Sequence, residues 1–176
     1  LHISPEKLQT LFNSARKKLL ALRDTRTQPA RDDKILCAWN ALMIRGMSTI
    51  GRRLNNKQYI DSATRAATFI YNNLWNGQRL LASYKDGRAH LNAYLDDYAY
   101  LLQDLLELLQ SQCRNDQYQW CIDIANSLLE NFEDLEQGGF FFFSHDHENL
   151  IYRSKTFSDD AMPNCNAVAA NALRQL

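Results

Sequence analysis

The chain repeats itself at an interval of a little over sixty residues, and that interval constrains the fold more than any other feature. Gln58-Tyr59 is matched by Gln119-Trp120 and Gly77 by Gly138, each 61 residues further on. Three acid pairs, Asp32-Asp33, Asp96-Asp97 and Asp159-Asp160, follow one another at offsets of 64 and 63. Each pair opens a segment more apolar than its neighbours. Self-similarity at a fixed period of this length marks units that cannot bury their apolar faces alone and must stack side by side.

Apolar periodicity says what one unit contains. Leu8, Leu11, Phe12, Ala15, Leu19 and Leu22 share one face of a helix over 4–23, with Ser4 as N-cap and Pro5 in the first turn. A second helix over 33–51 carries Ile35, Leu36, Trp39, Leu42, Met43, Gly46 and Met47, apolar around much of its circumference and so buried on more than one side. A third, over 57–74, is amphipathic, and "NGQRLLASYKDGRAHL" reads as a β-hairpin turning at Asp86-Gly87. The order then starts again: a very apolar helix over 94–109, an amphipathic one over 118–135, and a second hairpin opened by Gly138-Gly139 near 139–153. "NAVAANALRQL" begins a third apolar helix.

Polar outer helices alternating with apolar inner ones predict an all-α fold, the six-hairpin α/α toroid of the (α/α)6-barrel type. About half of such a ring is present, three inner and three outer helices with two short β-hairpins, in a single partial domain over 1–176. Its central cavity is ringed by the loops that precede the inner helices. Leu36, Trp39, Leu42, Met43, Leu101, Leu102, Leu105 and Leu108 are the expected inner faces; left open they predict a homodimer or another association that covers them.

Charge and cysteines exclude several classes. Lys plus Arg and Asp plus Glu number 20 each, so no face is announced as a polyanion footprint and no nucleic-acid partner is expected. Cys37, Cys113, Cys121 and Cys165 form no C-x-x-C pair, and three lie in apolar periodic segments, which fits a reducing, cytoplasmic setting. No apolar stretch approaches the roughly 18 residues that span a bilayer, and "LHISPEKL" lacks signal-peptide regions, so a soluble chain with no membrane partner is expected. His145 and His147 flank Asp146, but no third and fourth ligand accompanies them; they read as turn residues, and neither a metal site nor a cofactor is expected. P-loop, Rossmann and nucleophile-elbow patterns are absent from the sequence.

The stretches "PARDDKILCAWNALMI", "LDDYA", "GGFF" and "DDAMPNCNAVAA" together touch essentially the whole chain. They resemble the spermatogenesis-associated, thioredoxin-domain-containing family, whose C-terminal part is similar to the N-acylglucosamine 2-epimerase toroid. The resemblance implies a sugar-epimerase-like fold, and it implies a thioredoxin-like domain to which nothing in this sequence corresponds. Ala41 stands where the family reads W-N-G, and Pro163-Asn164-Cys165-Asn166 where it reads P-S-G-N, so two glycines near the expected ligand are replaced.

An acid in the first turn of a helix caps free N–H groups and sits favourably in the helix dipole, for roughly 0.5–2 kcal/mol. That accounts for one acid per helix; the second adds like-charge repulsion without being needed as a cap. The functional reading places Asp33, Asp97 and Asp160 on the cavity as general acid and base or as ligands of sugar hydroxyls. His90, just ahead of the second inner helix, is either the near-neutral group that proton transfer wants or a solvated hairpin residue. Arg31, with Lys34 and Arg153, would pair with the acids or with an anionic substrate group. Trp39, Tyr94 and Tyr98 would stack on a sugar ring or pack in the core, and Asn40, Asn164 and Asn166 lie within about two turns of an acid pair. Two functions follow: a carbohydrate-processing enzyme, sugar isomerase, epimerase or glycosidase-like, or a noncatalytic α/α scaffold that binds a protein partner or small ligand in the same groove.

Overall fold

The computed structural model describes residues 3–148 and 151–176. It divides into two compact units, one ending at Asp33 and the other running from Lys34. The first is helix α1 (Pro5–Asp24) with the segment that follows it. Ser4 Oγ accepts from Lys7 N at 3.4 Å and Pro5 occupies the first turn, so the start lies where the cap signal puts it. None of its residues is buried; Leu8, Leu11, Phe12, Leu19 and Leu22 are all exposed.

The second unit contains β1 (Ile35–Leu36), α2 (Cys37–Arg53), α3 (Lys57–Leu74), β2 (Leu81–Lys85), β3 (Arg88–Asn92), α4 (Leu95–Leu109), α5 (Asn115–Phe132) and α6 (Cys165–Gln175). The inner helix α4 is central, packed on α2, α5 and α6. Leu95, Leu101, Leu102, Leu105 and Leu108 are fully buried, each a side chain whose removal from water stabilises the fold by roughly 1.5–3 kcal/mol. These leucines are therefore not part of an open face, whereas Trp39 and Met43 on α2 stay 63% and 57% exposed.

Helix α3 begins and ends as its amphipathic pattern predicts, with Asn56 Oδ1 accepting from Gln58 N at 3.0 Å. Helix α2 starts four residues later than expected. Ile35 and Leu36 are drawn into an edge strand paired antiparallel with Tyr84 and Ser83, so Asp32 and Asp33 precede a strand and not a helix. In the β2–β3 hairpin Asp86 and Gly87 both adopt positive φ, 50° and 78°, the turn that matches strand twist.

The second hairpin is not built as a ladder. Among the described residues of 139–153 there is no strand; an isolated bridge joins Glu133 to Phe140, and Phe142 N donates to Ser154 O at 2.8 Å. Residues 149 and 150 of that stretch lie outside the described residues. The reason is a distant side chain: Asn166 Oδ1 accepts from Phe140 N at 2.7 Å and Asn166 Nδ2 donates to Phe140 O at 2.9 Å. Both ladder groups of Phe140 are thus taken by one side chain of α6.

Candidate functional site

The site builds from the N-terminal end of α4. With Tyr94 as N-cap, Leu95, Asp96 and Asp97 are the first three helical residues. The third position points back over the cap, and Asp97 Oδ2 accepts from Tyr94 N at 3.0 Å. Its other oxygen, Oδ1, accepts from Ala38 N at 2.9 Å, in the first turn of α2. One buried carboxylate therefore ties the starts of two inner helices together. Burial, with neighbouring Asp96 adding to it and the two N–H donors opposing, lifts the Asp97 carboxyl to about 7.

Asp96, one residue earlier, is turned away by the helical step and is half-buried. It lines two adjoining cavities. One, of about 210 Å³, is bounded by Lys34, Trp39, Ser83, Leu91 and Tyr94. The other, of about 160 Å³, is bounded by Tyr100, Thr156, Asp160, Met162 and Cys165. Burial pushes the Asp96 carboxyl up, against N–H donation from Asp97. An apolar groove of about 570 Å³ adjoins both, between Trp39, Leu42, Met43 and Gly46 of α2 and Ala161-Met162 ahead of α6.

The third acid pair divides its work differently. Asp159 Oδ1 accepts from Asn164 N at 2.8 Å, while exposed Asp160 lines the smaller cavity. Asn164 is the N-cap of α6: Oδ1 accepts from Ala167 N at 3.0 Å, and Nδ2 donates to Thr156 O and Ser158 O at 3.0 and 3.2 Å. Asn164 and Asn166 therefore shape the cavity wall through the loop they hold. Asn40 Nδ2 donates to Leu36 O at 2.8 Å.

Among the aromatics, Trp39 and Tyr94 line the larger cavity, with the Tyr94 ring stacked 5.4 Å from Phe142. Tyr98 is elsewhere: fully buried, its hydroxyl accepts from Leu80 N at 2.8 Å and bonds Ser127 Oγ at 3.1 Å. Tyr100 donates from its hydroxyl to Pro163 O at 2.5 Å and lines the smaller cavity. His90 is exposed on β3 and lines neither cavity; its carbonyl receives Ser83 Oγ at 3.4 Å. Arg31 and Asp33 are exposed in the first unit. Arg153 donates to Phe143 O and lies over the Phe141 ring, 4.1 Å from its centroid.

Asp96 and Tyr100 are the residues that sequence reasoning passed over. The signal for Asp96 was present: a capping-box spacing of three from Tyr94 assigns Asp97 to the backbone and leaves Asp96 outside the capping box. Among the described residues no cluster of three or more His, Cys, Asp or Glu side chains is placed to hold a metal, and no helix is long and apolar enough to cross a membrane.

The arrangement of inner and outer helices is the α/α toroid fold of sugar epimerases. Cellobiose 2-epimerase from Spirochaeta thermophila superposes with a TM-score of 0.65 at 14% identity, covering 81% of this chain and 38% of that one. A sugar epimerase from a ruminal bacterium gives 0.63 at 15%, covering 84% and 40%. The GH76 α-mannanase BT2949 of Bacteroides thetaiotaomicron gives 0.54 at 13%, covering 65% and 32%. No family model matches the chain. In sequence the chain is similar to spermatogenesis-associated protein 20: it is 30% identical to the human protein over 182 residues, 97% of this chain, and 26% identical to the rat protein. It spans 23% of the length of either relative.

Proposed function

We propose that the groove at the N-terminal end of α4 binds a carbohydrate, with Asp96 as its acid/base group and Asp160 as the second carboxylate of the same cavity. The observation that carries this reading is the position of Asp96 across two adjoining cavities, flanked by Trp39, Tyr94 and Tyr100. A sugar offers hydroxyls to a carboxylate and an apolar ring face to an aromatic, and this wall presents both. An acid raised by burial is readily protonated, which suits donation to a sugar oxygen. Asp97 holds the helix ends and acts through Asp96. In the whole protein the reaction would be isomerisation, epimerisation or hydrolysis of a sugar, in keeping with the epimerases and the mannanase that share the fold, and the four free thiols are consistent with a reducing, cytoplasmic setting.

A second reading, a noncatalytic scaffold, is favoured by one observation: the groove of Trp39, Leu42, Met43 and Met162 is apolar and open. Association of two copies, or a protein partner, would cover it. Calorimetric titration against hexoses, amino sugars, their phosphates and β-linked disaccharides separates the readings. The carbohydrate reading expects saturable binding that Asp96→Asn weakens at least ~10-fold, about 1.4 kcal/mol, with an unchanged melting temperature. Absence of binding by the unmutated protein to every sugar sinks it and leaves the scaffold, for which light scattering should show mass rising with concentration.

A further inference from the structure

The seam between α2 and α4 carries a polar stripe that the candidate site uses only at Tyr100. Tyr100, Gln103, Asp104 and Glu107 recur on α4 at the spacing of one helical face. Two of them are answered from α2: Arg45 Nη1 donates to Gln103 Oε1 at 2.7 Å, and Arg52 pairs with Glu107. Asp104, between them, is fully buried, and neither of its carboxyl oxygens has a hydrogen-bond partner among the described residues. An ionised carboxylate in that position is strongly disfavoured, and the nearest cation is already committed to Gln103.

We propose that Asp104 is a proton-operated latch on the α2–α4 seam, a neutral acid while the two inner helices are closed that releases its proton to water when they part. Rising pH then favours the open seam. The groups that act on Asp104 are Arg45, which draws it toward ionisation, and Glu107, which opposes it; Cys37 of α2 and Tyr100 feel its charge in turn. From α6, Cys165 couples to Tyr100. Burial dominates this balance and sets the carboxyl at about 8. Because an opened, hydrated aspartate titrates near ~4, opening gains about tenfold per pH unit between those values. Helix α2 carries Trp39 and Met43, so the seam governs the wall of the apolar groove whatever that groove binds.

Native-state hydrogen exchange on the full chain, corrected for the intrinsic pH dependence of amide exchange, tests the latch without any ligand. Between pH 5 and 7 the seam amides of α2 and α4 should lose protection about 100-fold more in the unmutated protein than in Asp104→Asn. Equal pH dependence in the two proteins overturns the proposal. Should Asp104→Asn fail to fold, the Asp104 carboxyl carbon of the unmutated protein is followed by NMR. A midpoint above 6 that rises further in Arg45→Met supports the latch, and a midpoint near 4 overturns it.

Discussion

In the α4 unit the anchoring acid is the second of its pair, Asp97, which also borders the larger cavity, and the first, Asp96, lines both cavities. Ahead of α6 the order is reversed: Asp159 holds Asn164 N, and Asp160 lines the cavity. The difference follows from where each helix starts. Asp97 falls at the third helical position, from which a carboxylate reaches the N-cap amide, whereas Asp159 sits five residues before Asn164, itself the cap, and Pro163 lies between them. In the two later pairs one acid anchors a helix start, and helix register decides which member that is.

The comparison breaks most visibly at Asp97. Asp97→Ala should lower the unfolding free energy in urea by about 2–4 kcal/mol, because two N–H groups at buried or half-buried helix starts lose their acceptor together. The same residue has a pH signature. Folded Asp97 titrates at about 7 and unfolded aspartate at ~3.9. The folded state therefore holds a proton that the unfolded state has released, and the Asp97 contribution to stability falls as pH rises from about 4 to about 7. Asp134 and Asp116, held low by hydrogen bonds from Lys155 and Arg114, lose their contribution only as pH falls through the acid range below that window. Asp97→Asn should accordingly show a deficit relative to the unmutated protein that shrinks between pH 5 and 8; a constant deficit would contradict the protonated, buried anchor.

Asp159→Ala gives a smaller effect. A single bond to Asn164 N from an exposed acid is at stake, and the expected loss is about 0.5–1 kcal/mol, read as a modest drop in melting temperature. A loss as large as that of Asp97→Ala would show that the two anchors are equivalent and that burial does not separate them.

What local sequence could and could not reveal follows from these residues. Helix α3 was legible because Asn56, an amphipathic face and Trp75 bound it without help from distant partners. The delayed start of α2 was not, since it depends on Ile35 and Leu36 pairing with residues almost fifty positions away. The missing ladder at 139–153 depends on Asn166, a side chain on another element. For the site, the repeat located the acid pairs ahead of the inner helices, but only Asp96-Asp97 fall in a first helical turn, and the repeat carried no information on which member faces the cavities. Trp39 and Tyr94 were legible as aromatics beside acids, whereas Tyr98, on the same apolar helix, could be assigned to the core only once Leu80 and Ser127 were seen around its hydroxyl.

The smallest stability effect is expected at Asp160, and it sharpens the comparison because it separates function from folding within one pair. Asp160 is exposed; its backbone N donates to Met162 O at 3.2 Å, a bond that a side-chain change leaves in place. Asp160→Asn should therefore shift stability by no more than ~0.5 kcal/mol. If the cavity holds a sugar, the same change removes one of its two carboxylates while Asp96 remains, and affinity should fall less than in Asp96→Asn, since Asp160 borders only one of the two cavities that Asp96 spans. Calorimetric titration beside a thermal melt reads both quantities on one sample. A stability loss comparable to that of Asp159→Ala, with unchanged affinity, would make Asp160 a second anchor and remove it from the site.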